Sequence, residues 1–171
     1  IPYILDNQDI LASSKTGSGK TGAFVMPIIS RIIQQPSTNA LILVPTRELA
    51  IQVKDAIHNI RGSAKAMTAL VFGGSDIRKQ INNLKKKPNI VIATPGRLND
   101  HIRRQTINLS KFSILVLDEF DQMLDMGFEK DIRSIITCLP NGDNRQTLMF
   151  SATTRKSIIN SAEKYLHQGY K

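Results

Sequence analysis

Residues 9–21, DILASSKTGSGKT, pass from a short aliphatic run into a glycine-rich turn and then into a long amphipathic stretch. That order of strand, loop and helix is the setting a phosphate-binding P-loop requires. Gly17 and Gly19 permit backbone conformations in which successive N–H groups converge on one point, and the helix opening beside them adds its positive dipole end. Ser14, Lys15, Thr16, Gly17, Ser18, Gly19, Lys20 and Thr21 are therefore read as a cradle for a triphosphate. Lys20 would set its ammonium against the β- and γ-phosphates, and Thr21 would offer its hydroxyl to Mg²⁺. The stretch departs from G-x-x-x-x-G-K-[ST] at its first position, where Ser14 replaces Gly. A glycine-rich turn with an incidental lysine is the plainer alternative, and it leaves the acid found further along without a purpose.

Working outward, aliphatic runs recur at 40–45 (ALILVP), 69–72 (ALVF), 89–94 (NIVIAT), 114–118 (ILVLD) and 146–152 (QTLMFSA). Apolar runs of that length without alternation indicate strands covered on both faces. Helical patterns lie between them at 19–34, 47–60, 75–86, 129–139 and 154–166. Such alternation predicts an α/β fold, a mostly parallel sheet flanked by helices on both faces, with ligands at the carboxyl ends of its strands.

The chain has 171 residues, 41% hydrophobic and 22% charged, which suits one domain with a sizeable core. Lys and Arg number 23 against 14 Asp and Glu, and the formal charge of +9 favours a polyanionic partner. No stretch has the length and polarity of a membrane-spanning helix, so no membrane association is expected. The single cysteine, Cys138 in SIITCLP, reads as a core thiol at a buried helix end. His58, His101 and His167 lack metal spacing and take surface or packing roles. The run Lys85–Pro88, KKKP, reads as a solvated helix end that suits the dipole, with a nucleic-acid contact as the alternative.

In LVLDEFDQML, residues 115–124, Asp118 ends an apolar strand and Glu119 follows at once. Asp118 would reach the same sheet edge as the phosphate loop and hold Mg²⁺ there, while Glu119 would orient or deprotonate an attacking water. Adjacent carboxylates repel, and a divalent cation relieves that repulsion. A helix N-cap followed by an exposed first-turn charge is the other reading of the pair; Lys20 and Thr21 favour the metal.

These pieces resemble the first RecA-like domain of a DEAD-box RNA helicase, over nearly the whole chain. The similar stretches are SKTGSGKT (14–21), PTRELA (45–50), GG (73–74), TPGRL (94–98), DEFD (118–121) with MLDMGF (123–128), and SAT (151–153), in the family's order. The resemblance implies a RecA-like P-loop NTPase fold, ATP in the cradle, Mg²⁺ held by Thr21 and Asp118, and Lys20, Asp118 and Glu119 as the catalytic set. It further implies that Ser151 and Thr153 bond to the motif's acids, chiefly Asp121, and so couple nucleotide to RNA. Pro45, Thr46, Arg47, Gly73, Gly74, Thr94, Pro95, Gly96 and Arg97 match positions that grip the RNA backbone. Such residue types suit phosphate and sugar contacts and form no code for reading bases.

Phe120 stands where the family usually has Ala; we expect it to turn away from the nucleotide and pack on Met123 or Leu124. The family's adenine-reading glutamine would precede residue 1, and a second RecA-like domain would follow, so residues 1–171 are expected to be a single domain of a longer, monomeric, intracellular helicase, cytoplasmic or, in a eukaryote, nuclear. The competing reading is a non-catalytic RNA clamp or scaffold with a degenerate ATPase site; a DNA translocase is a third. The intact Lys20, Thr21, Asp118 and Glu119 count against the scaffold, and the close motif set counts against the translocase.

Overall fold

Each of the six aliphatic runs forms a strand: β1 (Ile10–Ser13), β2 (Ala40–Leu43), β3 (Thr68–Val71), β4 (Ile90–Ala93), β5 (Ile114–Leu117) and β6 (Gln146–Ser151). They assemble into one parallel sheet in the order β1-β6-β5-β2-β4-β3 in a computed structural model that describes residues 1–15 and 17–171. The helices are α1 (Pro2–Leu5), α2 (Lys20–Gln34), α3 (Arg47–Arg61), α4 (Ile77–Lys85), α5 (Pro95–Arg103), α6 (Phe120–Asp125), α7 (Glu129–Ile136) and α8 (Lys156–Ala162).

Strand pleating sends alternate residues to opposite faces, and each face has its own core. Ala40 and Ile42 of β2 join Phe24, Ile28 and Ile32 of α2 and Val53 and Ile57 of α3. Leu41 and Leu43 join Leu84 of α4, Leu98 of α5, Met123 of α6, Ile132 and Ile135 of α7 and Ile158 of α8. All four residues of β2, β4 and β5 are buried, which explains why these runs are apolar throughout instead of alternating. The Phe24 and Phe150 rings, 5.2 Å apart, pin the helix after the phosphate loop to β6. Thr46 caps α3 by accepting from the Leu49 N–H at 3.2 Å, and Asp76 caps α4 by accepting from the Arg78 N–H at 2.8 Å.

Two expectations need correction or completion. Cys138 is exposed, not buried. Helix α7 ends at Ile136 with Ile132 and Ile135 turned inward, so Cys138 falls on the outer side, its Sγ 3.5 Å from the Ser134 carbonyl. Helices α5 and α6 lie within stretches first read only as motifs.

Phe120 opens α6 and is fully buried in the same apolar cluster as Met123, away from solvent on the α6 side of the sheet. Phe120→Ala would leave a ring-sized void there. We expect a loss of about 3 kcal/mol, and a melting temperature lower by roughly 6–12 °C for a domain of this size, with ATP affinity kept. A melting curve like that of the native protein would show that the ring carries no packing.

Candidate nucleotide and nucleic-acid site

Because every strand runs the same way, all six carboxyl ends meet at one edge, and the loops leaving that edge carry the residues singled out in the sequence. The edge divides in two. The loops after β1, β5 and β6 lie on one half and those after β2, β4 and β3 on the other. The Asp118 N–H donates to the Leu43 carbonyl at 3.0 Å, which ties the halves together where β5 meets β2.

In the phosphate loop Gly17 has φ +80° and Gly19 φ +87°. An added Cβ would meet nothing within 4 Å at either position, so the conformation and not space demands glycine. Gly19 is the N-cap of α2 and makes no side-chain cap bond. The Lys20 Nζ donates to the Ser14 carbonyl at 2.7 Å, and the Ser14 and Ser18 hydroxyls lie 2.7 Å apart. Lys15 is exposed and Thr21 half-buried; Thr16, assigned to the cradle from sequence, lies outside the described residues.

Asp118 is buried, 3% exposed, and accepts from the Glu119 N–H at 3.0 Å. Burial first, and the Glu119 carboxylate second, push its carboxyl up to about 6 against the pull of Lys20. Glu119 adopts the left-handed conformation, φ 53° and ψ 49°. A residue with a Cβ held there stores on the order of 1–3 kcal/mol, and such strain gathers at functional positions. Neither the strain nor the burial of Asp118 was readable from sequence.

Asp121 accepts from the Ala152 N–H and the Thr153 hydroxyl, both at 3.2 Å. Burial raises its carboxyl, yet these donors outweigh burial and hold it below the usual range. Ser151 is buried and donates to the Thr153 carbonyl at 2.8 Å, so it shapes the loop that reaches Asp121.

The residues present fit Mg²⁺. Among the described residues no three His, Cys, Asp or Glu cluster as a self-sufficient metal cage. Mg²⁺ is commonly held by one or two protein oxygens together with substrate phosphates and water, and the Thr21 hydroxyl and the Asp118 carboxylate would supply oxygens of that kind. The mutual repulsion of Asp118 and Glu119 is what a cation would relieve.

On the other half, Pro45 is buried and Thr46 half-buried, while Arg47 is exposed and lies over the Phe72 ring at 5.2 Å. Gly73 and Gly74 are exposed. Thr94 is the N-cap of α5 without a side-chain cap bond, Pro95 is buried and Gly96 exposed. Arg97 donates to the Ser75 carbonyl at 3.1 Å and to the Gln80 Oε1 at 3.3 Å.

Residues 1–161 match the sequence profile of the DEAD/DEAH box helicase family. The chain belongs to that family. This DEAD-box domain is 45% identical to the DEAD-box ATP-dependent RNA helicase CshA of Bacillus subtilis over 167 residues, 97% of this chain and 33% of that protein. It is 48% identical to the ATP-dependent RNA helicase CshA of Limosilactobacillus reuteri over 92% of this chain and 32% of the relative. The DEAD-box domain thus spans about a third of the curated relatives it matches. Among solved structures, a DEAD box protein from Methanococcus jannaschii superposes over 99% of this chain and 46% of its own, with a TM-score of 0.91 and 43% identity. A hypothetical ATP-dependent RNA helicase from Sulfolobus tokodaii covers all of this chain with 49% of its own, at a TM-score of 0.88 and 37% identity.

Proposed function

We propose that residues 1–171 form the ATP-binding and hydrolysing domain of an RNA-dependent ATPase that separates RNA duplexes locally. The observation that carries this reading is the shared sheet edge, with the Lys20 loop and the Asp118–Glu119 pair on one half and the Arg47 and Arg97 loops on the other. The names of the relatives point the same way.

In the proposed reaction the amides of residues 14–21 and the α2 dipole bind the phosphates. Lys20 exchanges the Ser14 carbonyl for phosphate oxygen. Thr21 and Asp118 would hold Mg²⁺, which would supply positive charge to offset the negative charge that develops in phosphoryl transfer. Glu119 orients the attacking water and accepts its proton. Asp121 links this chemistry to the Ala152–Thr153 loop, and Arg47, Arg97 and the nearby amides hold the RNA backbone without base preference, so that binding weakens as salt rises. We place the protein inside the cell, in the cytoplasm, acting as a monomer that closes over its ligands with a second RecA-like domain of the same polypeptide. The scaffold reading is disfavoured by the intact Lys20, Thr21, Asp118 and Glu119.

ATP hydrolysis by the full-length protein, with and without single-stranded RNA, tests this directly against the 171-residue chain alone. We expect RNA-stimulated turnover from the full protein and a rate lower by about 10³-fold or more from the chain alone, the scale of losing an arginine finger supplied by another domain. Equal stimulated rates would remove the need for a second domain, and no stimulation in the full protein would return the scaffold reading.

A further inference from the structure

Gln80 of α4 and His101 of α5 are buried polar residues that no step above uses, at 5% and 0% exposure. They touch each other, the Gln80 Oε1 lying 2.9 Å from the His101 Nε2. The partners settle both orientations. On one side the Gln80 Nε2 meets the Phe72 carbonyl at 2.8 Å and the Ser75 hydroxyl, and a carbonyl can only accept. On the other side the Oε1 meets Arg97, which can only donate. Burial first, and the Arg97 charge second, lower the His101 pKa and so favour the neutral ring. Because the Gln80 Oε1 can only accept, the His101 Nε2–H donates to it, while the His101 Nδ1 lies 2.7 Å from the Thr106 hydroxyl, which also reaches the His101 carbonyl at 3.1 Å.

One amide thus spans two of the three loops assigned to the RNA backbone and bears on the third. Its nitrogen end fixes the backbone before Gly73 and Gly74, and its oxygen end fixes Arg97. Phe72, whose carbonyl it holds, carries Arg47 over its ring. A buried amide with all its partners satisfied rigidifies what it joins, and removing it strands those partners.

We propose that Gln80 is a positioning residue for RNA binding, holding the 72–75 loop, Arg97 and through Phe72 also Arg47 in one arrangement, with His101 setting the sense of its amide. This rests on the assignment of those loops to RNA.

The test is Gln80→Met, similar in length and without polar atoms, in the full-length protein. RNA-free ATP turnover and the KM for ATP should stay as in the native protein, while the RNA concentration for half-maximal stimulation rises about tenfold, within the usual range for coupled neighbours. Gln80→Met combined with Arg97→Ala should cost clearly less than the sum of the two, since part of the Gln80 effect runs through that arginine. Ser75→Ala, which removes one partner without opening the core, should raise the half-saturating RNA a few-fold and serves if Gln80→Met fails to fold. An unchanged RNA requirement in either variant, a parallel rise in the KM for ATP, or full additivity with Arg97→Ala overturns the proposal. If the native protein is not stimulated by RNA at all, the fault lies with the functional assignment and not with Gln80.

Discussion

Glu119→Gln should leave ATP bound and bring its hydrolysis close to a halt. The amide keeps the size of the side chain and can hold a water, but it cannot accept the proton that the attacking water must lose. Removal of a positioned general base is worth about 10²–10⁴ in rate. Single-turnover hydrolysis in the full-length protein should fall by that factor, with nucleotide affinity within a few-fold of native. The left-handed backbone at residue 119 is neither relieved nor worsened by Gln, so melting should isolate the charge effect. That effect has a sign: Glu119 is one of the groups raising the Asp118 carboxyl, so its neutralisation lets Asp118 ionise at lower pH. Undiminished hydrolysis in the variant would take Glu119 out of the reaction.

Asp118→Asn should move stability and activity in opposite directions. The folded protein holds this carboxyl near 6 against an ordinary 3.8, so ionising it opposes folding. A raised carboxyl favours the folded state most at low pH, and that advantage is lost as pH climbs from about 4 to about 6. Asn, neutral throughout, escapes the loss. At pH 7.5 the ligand-free variant should be more stable by about 1–3 kcal/mol, and at pH 4 the difference should vanish. Saturating Mg²⁺ and ATP should reverse the ranking, because ligand that binds only the folded state raises the melting temperature of the native protein and barely that of a variant lacking the carboxylate. A variant less stable than native at pH 7.5 without ligand, or one with a full response to Mg²⁺, would contradict the reading of Asp118 as a buried, metal-seeking acid.

The strands were legible because their chemistry is uniform. Runs such as ALIL and IVIA are buried on both faces, and only a covered parallel strand tolerates that. The long helices were legible from their periodicity, and their ends agree with the sequence reading to within a few residues. Helices α5 and α6 were not, since Pro95 and Gly96 at the start of α5 were read only as motif residues and six residues of α6 are too few to show a period. Cys138 was misplaced because the helix was carried past Ile136, which rotated the thiol to the wrong side. At the site, residue types and their order along the chain could be read directly. The Gln80–His101 pair could not, for its members lie on separate helices and neither belongs to a spaced motif.

The strand order carries a consequence for how the chain is made. Ile10 of β1 lies opposite Leu148, and β1 pairs with β6 at the edge of the sheet. Asp9, just before β1, is held by the Thr147 and His167 N–H groups, and the outer side of β1 bonds to Lys171. On a ribosome, β2, β3 and β4 can join one another while the chain is still short, whereas β1 waits for partners more than a hundred residues downstream. Non-local pairings of this kind form late. A nascent chain halted before Gln146 would therefore display the loops after β2, β3 and β4 with no seat for the loop after β1, so the stretch proposed to hold phosphate is made before the strand that fixes it in place.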